Sequence, residues 1–283
     1  MSFRSGRATR VAALQMESKP GARDENLRVA GSLLESAASQ GVLLACLPAA
    51  FATGLNLPSI RNDATPSDSP IVEFLSQQAQ RLGLHIVAGI LLFEGRDVYD
   101  AATLVAPSGE VLGWYRRTCT WSGEVDYIST GEPTPAMDSD IGKIGLLVGN
   151  DIRFPEASRH YLFDGVDIIV TVANMFAPYS YSVRSICRAR AADNECTLVF
   201  VNSVGSNRFL MMPYLGRSMI VDGLVWNVAE DPETDVLAEA SPRSWEEVIH
   251  ADIHLKAQRK AREKMPFRVD AQALWTTIHK GRS

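Results

Sequence analysis

The chain has 283 residues, 46% of them hydrophobic and 22% charged, enough for one large soluble domain with an ample core. A formal net charge of −5 offers no footing for nucleic acid or an anionic membrane surface, and neither is expected as a partner. Four cysteines, at positions 46, 119, 187 and 196, show no C-x-x-C spacing, which fits a reduced, cytoplasmic setting, and the apolar runs are too short to span a membrane.

Arg4, Arg7 and Arg10 open the chain without the apolar core of a secretory leader behind them, and the first expected element is a strand over TRVAALQM. DENLRVAGSLLESAASQ follows, with Leu27, Ala30, Leu34 and Ala37 at the spacing that gives a helix one apolar face. GVLLACLP carries no charged or polar side chain and predicts a strand covered on both sides. Ser69 before Pro70 marks a helix start, and Ile71, Phe74, Leu75 and Gln78 carry that helix to Leu82. LHIVAGILLF, DAATLVA and EVLGWYR read as three strands, the last two joined by a PSGE turn. KIGLLVG and VDIIVTVA are expected as buried strands on either side of a helical PEASRHYLFDG. SVRSICRARAADNE predicts a long helix, CTLVFVNSV and GRSMIVDG two more strands, and EEVIHADI a strand that closes the sheet region. No repeat or low-complexity linker divides the chain, so the pattern points to an α/β sandwich in which helices cover stacked sheets.

Six segments, taken in order, carry a more specific resemblance. LPAAFATG, YRRTCTW, GEVDYISTG, IGLLVGNDIRFPEASR, RARAADN and GRSMIVDG resemble successive motifs of the nitrilase, or carbon–nitrogen hydrolase, superfamily. There the matching segments read L-P-E-x-F-x-T-G, Y-R-K-x-H-L-W, an acidic stretch ending in glycine, I-G-L-x-I-C-Y-D-x-R-F-P-E, R-A-R-A-x-E-N and a G-x-S strand. The resemblance covers about residues 10–265 and implies a four-layer α-β-β-α sandwich, one domain over 1–283 with a tail from about 266. It also implies pairing through helices into a homodimer or a larger homo-oligomer.

In that superfamily a cysteine attacks a nitrile or amide carbon, a glutamate takes the thiol proton, and a lysine stabilises the developing oxyanion. Carried over by position, the glutamate falls on Ala49, the lysine on Arg117 and the cysteine on Gly149. A methyl group accepts no proton and a hydrogen atom attacks no carbon, while Arg117 keeps a positive charge without the ability to give and recover a proton. Asn150 stands where the superfamily has tyrosine, and Cys119 where it has histidine. On a continuing strand Cys119 would share Arg117's face, which makes it the thiol to consider as a displaced nucleophile; its simpler role is to fill a histidine-sized slot. Glu124 and Asp126 remain in the acidic segment, where the superfamily often carries a substrate-positioning glutamate; Glu124, seven residues before Gly131, is the favoured match and Asp126 a second, with Arg117 as the third candidate for the chemistry. Ala49, Cys119, Gly149, Asn150 and Asn174 are the expected substrate-lining positions. Asp151, Arg153 and Glu156 are expected to hold the strand-to-helix turn.

His250 and His254 are four apart but fall at a strand end, so neither a metal nor an organic cofactor is implied. Shrinking three side chains around one point predicts a roomier, less acidic pocket, with Arg117 suited to an anionic or carbonyl-containing small molecule. Three functions remain open: acid–base or electrostatic chemistry without a covalent intermediate, binding without turnover, and hydrolysis by an activated water.

Overall fold

The computed structural model describes residues 8–207, 209–224, 235–241, 245–264 and 267–279. In chain order, β1 (Thr9–Gln15), α1 (Arg23–Ser39) and β2 (Leu44–Cys46) lead through α2 (Ile60–Asp63) and α3 (Pro70–Leu82) to β3 (His85–Glu94), β4 (Asp97–Val105) and β5 (Val111–Arg116). The strands β1, β2 and β3 are parallel neighbours, and β4 and β5 continue the sheet as an antiparallel meander. A second sheet starts with β6 (Met137–Ser139) and β7 (Gly142–Val148), followed by α4 (Pro155–Asp164), β8 (Ile168–Ala173), α5 (Val183–Asp193) and β9 (Thr197–Asn202). A small ladder of β10 (Ser206–Asn207) and β11 (Met212–Pro213) stands apart, and β12 (Met219–Asp222) with β13 (Val236–Glu239) extends the second sheet. The chain then returns: β14 (Glu247–Ile253) pairs antiparallel with β1, Thr9 opposite Ile253, before α6 (Leu255–Lys264) and α7 (Phe267–His279). The strand orders are β14-β1-β2-β3-β4-β5 and β13-β12-β9-β8-β7-β6.

Side-chain alternation explains the layering. Val11 and Ala13 of β1, Leu44 and Cys46 of β2 and Val87 of β3 face the second sheet, where they meet Leu146, Val148, Val170, Val172 and Val199 in one fully buried cluster. Their neighbours Ala12, Leu14, Ala45, Ile86 and Ala88 face the other way, against Ala30, Leu34 and Ala37 of α1 and Leu75 and Ala79 of α3. A run apolar at every position, as in β2, is therefore what a strand buried on both faces requires. On the far side α5 packs across β9 and β12 while α4 packs on β7, giving the helix–sheet–sheet–helix order expected from the sequence. Burying one leucine such as Leu34 completely contributes roughly 1.5–3 kcal/mol.

Two termini of α3 are set by single residues: Pro70 opens its first turn, and Gly83 closes it in the left-handed region at φ 66°. The sequence pattern leaves β6, β13 and the C-terminal helices unannounced. The tail beyond about residue 266 is helical as α7, and Trp275 meets Phe163 of α4 edge-on at 5.8 Å. Among the described residues no helix is long and apolar enough to cross a membrane.

Candidate active site

The ends of the two sheets converge on a cavity of about 230 Å³. Its polar side is formed by Asp100, Arg117, Glu124, Gly149, Asn150 and Asn174. Leu55 and Leu57 from the first sheet's connection, Trp121 from the acidic loop, the Met175–Tyr179 segment after β8, and Leu210 with Met212 near β11 complete it. A volume below the usual ~300–1,000 Å³ of drug-sized pockets suits a small molecule.

Arg117 lies buried in its wall. Strand β5 ends at Arg116, and the Arg117 backbone N–H still donates to the Asp100 carbonyl on β4 at 2.9 Å, which brings the two side chains together. The guanidinium donates from Nη2 to Glu124 Oε2 at 2.5 Å and lies 3.3 Å, through Nη1, from Asp100 Oδ2. All three side chains are at least nine-tenths buried. Burial opposes the arginine's charge, but Asp100, Glu124 and Asp151 outweigh it and hold the guanidinium above its ordinary value. Burial pushes the Asp100 carboxyl up to about 6; Arg117 pulls against that, while Glu124 and Asp151 add repulsion. Asp100 Oδ1 has no hydrogen-bond partner.

The frame around this trio depends on Asp151. Its Oδ2 accepts from the Tyr115 hydroxyl at 2.8 Å and from the Val148 N–H at 3.2 Å; its Oδ1 accepts from the Cys119 N–H at 2.7 Å and the Thr118 hydroxyl at 3.2 Å. One carboxylate thereby ties the segment after β5 to the turn after β7, fixing Arg117 opposite Gly149. Arg190 of α5 supports that turn from behind, donating to the Ile152 carbonyl at 2.9 Å. Arg153 lies over the Tyr179 ring at 4.9 Å, whereas Glu156 is exposed. Of the three residues expected to hold the turn, Asp151 does most of it.

Gly149 begins a 3₁₀ turn, Gly149–Arg153, between β7 and α4 with φ +50°. A strained residue between strand and helix is the backbone form of a nucleophile elbow. A β-carbon added there would meet Arg117 Nη1 at 3.5 Å, an ordinary contact, so the position has room but an unfavourable backbone for most side chains. Asn150 accepts at Oδ1 from Arg153 at 3.4 Å, and Asn174 accepts at Oδ1 from the Ser203 hydroxyl at 2.5 Å.

Several expectations are corrected by this geometry. Ala49 is buried in the core between the sheets rather than on the cavity wall, with its Cα so close to Gly89 that a β-carbon there would approach to 2.4 Å. The strand that would have put Cys119 on Arg117's face ends at Arg116, and Asp151 accepts from the Cys119 N–H instead; Cys119 is not among the described residues lining the cavity, and burial raises its thiol pKa. Of the two loop carboxylates, Glu124 lines the cavity and Asp126 is exposed. The reason is a helical turn: the Ile128 N–H donates to the Glu124 carbonyl at 2.9 Å, placing 124 and buried 128 on one face and 126 on the other. A second carboxylate, Asp100, stands against Arg117. The sequence reading missed Asp100. Its one signal was a lone acid opening the otherwise apolar DAATLVA.

Comparison with known proteins agrees with the geometry. Residues 10–263 match the carbon-nitrogen hydrolase family model. The chain is 31% identical to a nitrilase of Pyrococcus abyssi over 89% of this chain and 92% of that protein. It is 27% identical to a 2-oxoglutaramate amidase of Bacillus subtilis over 90% and 95% of the two chains. Among solved structures, a carbon-nitrogen hydrolase from Helicobacter pylori superposes with a TM-score of 0.85 at 20% identity, covering 98% of this chain and 99% of that one. XC1258 of Xanthomonas campestris gives 0.82 at 24% identity, covering 94% and 97%. At such identities these structures speak to fold alone.

Proposed function

The chain belongs to the carbon–nitrogen hydrolase family, and on that premise we propose that its pocket performs acid–base chemistry on a small molecule without a covalent bond to the protein. Glycine at 149 and alanine at 49 supply neither a nucleophile nor a base where the superfamily resemblance places them. The observation that carries the proposal is Asp100, a buried carboxyl lining the cavity with its pKa raised to about 6. A group that titrates close to neutrality takes and returns a proton efficiently at physiological pH. Arg117, 3.3 Å away, is the positive charge beside it; its two terminal nitrogens face Asp100 and Glu124, and its Nε, which has no partner, is the donor left for an oxyanion or enolate that forms as a proton leaves substrate. Glu124 holds the guanidinium in place and accepts the Trp121 N–H at 3.3 Å, joining Arg117 to the loop over the cavity. An isomerisation, elimination or cyclisation is the class of reaction these groups support.

The test is a panel of small carbonyl compounds, amides and amines incubated with the full chain and followed by proton NMR, beside Asp100→Asn. Conversion by the native chain, lost in the variant, with no mass added to the protein, is the expected result. Equal conversion by Asp100→Asn overturns the assignment. Compounds that raise the melting temperature but are never converted reduce the pocket to a binding site.

A further inference from the structure

We infer that this pocket selects a compact, largely apolar molecule bearing one ammonium group, held at Asp100. The inference rests on the reading of the cavity as a small-molecule site, but it concerns binding and does not require turnover.

The charges around the cavity come first. Among the described residues its lining has two carboxylates, Asp100 and Glu124, against one guanidinium. Both terminal nitrogens of Arg117 already face those carboxylates, Nη2 at 2.5 Å from Glu124 and Nη1 at 3.3 Å from Asp100. An incoming anion would compete with two resident carboxylates for one cation; an incoming cation balances the charge left over.

Arg117 Nε and Asp100 Oδ1 both lack hydrogen-bond partners, but the guanidinium already faces two carboxylates, so the larger unmet demand is for a donor at Asp100. An ionised carboxylate accepts at about four lone-pair sites. Glu124 uses its Oε2 twice, for Arg117 and for the Trp121 N–H. Asp100 is 4% exposed, its Oδ1 has no partner, and its Oδ2 has only the Arg117 contact at 3.3 Å. A buried carboxylate so poorly satisfied is costly unless a donor arrives, and the cavity it lines is where one can. An ammonium supplies three N–H donors and the missing charge together.

The walls fit the rest of such a molecule. Trp121, Phe176 and Tyr179 give aromatic surface, and Leu57, Met175 and Met212 give aliphatic surface. Aromatic faces attract a cation as well as an apolar body, and Tyr179 already carries the Arg153 guanidinium over its ring.

The experiment is calorimetric titration of the full chain at pH 7.5 with three probes of one shape: 2-phenylethylammonium, phenylacetate and phenylacetamide. The ammonium should bind at least tenfold tighter than either of the others, and Asp100→Asn should weaken it at least tenfold while changing the amide less than threefold. Tighter binding of phenylacetate, or amide binding equal to the ammonium's, overturns the inference using the native protein alone, whatever the variant's stability. Ammonium binding without conversion of any amine refutes the catalytic proposal and leaves this one standing; an anion converted in an Asp100-dependent way does the reverse.

Discussion

Replacing Asp100 by asparagine tests the central electrostatic claim without any ligand. In the unfolded chain this carboxyl titrates near 3.8, and in the folded protein near 6. Because its folded value is raised, the native state binds the proton more tightly than the unfolded state over that interval. Asp100 therefore costs stability as pH rises from about 4 to 6, and the cost is constant above. At about 1.4 kcal/mol for each pH unit, the ionised carboxylate destabilises the fold by about 3 kcal/mol relative to its neutral form. Asparagine has the same shape and no charge. Urea unfolding of both proteins from pH 4 to 8 should show the variant gaining on the native chain by about 2.5 kcal/mol across the range, flattening above pH 7. Arg117, Glu124 and Asp151, which act on the same carboxyl, are present in both proteins. A stability difference independent of pH, or one that moves the other way, would refute the raised pKa and the acid–base role built on it.

Arg117→Ala leaves Glu124 and Asp100 buried without their cation, and should destabilise the protein by about 3–5 kcal/mol in the same urea assay; a loss below about 1 kcal/mol would mean water already compensates those carboxylates. Incubation with simple nitriles and amides should add no acyl mass to the protein, since burial raises the Cys119 thiol pKa and it is absent from the described cavity lining; a stable adduct on Cys119 would overturn this. The triple variant Ala49→Glu, Arg117→Lys, Gly149→Cys should show no amidase turnover by ammonia release, because position 49 is packed in the core and catalytic geometry tolerates errors of only about half an ångström. Clear turnover would favour a pocket silenced without being reshaped.

How far the sequence reached can be judged residue by residue. The central strands of both sheets were readable because their apolar runs reflect burial on two faces, and Val11 and Ala12 show the alternation directly; β6 and β13, short and only partly buried, offer no such run. Gly149 and Asp151 lie on one local turn, a matter of a few consecutive residues, which is the kind of feature a sequence motif encodes. Asp100 was hidden, since a single acid at the start of a strand reads as an edge until the partner strand brings Arg117 alongside it. Leu210 and Met212 reach the cavity from some sixty residues beyond Gly149, a closure that no periodicity encodes. Spacing from Gly131 favoured Glu124 without excluding Asp126; what separates them is the turn that buries Ile128 on the same face as Glu124.

The carboxylate of Asp151 makes its bonds to Tyr115, Thr118, Cys119 and Val148, and none of them involves the side chains at 149, 150 or 174. The residue that frames the turn and the side chains that line the cavity floor are thus different ones, which makes that floor open to redesign. A saturation library at 149, 150 and 174 should retain the fold in most clones, while the same library at 151 should return almost none. At 149 the left-handed backbone narrows the choice: asparagine and aspartate tolerate φ +50° best after glycine, and β-branched residues worst. A directed-evolution campaign seeking a new polar group opposite Arg117 should therefore begin with those two.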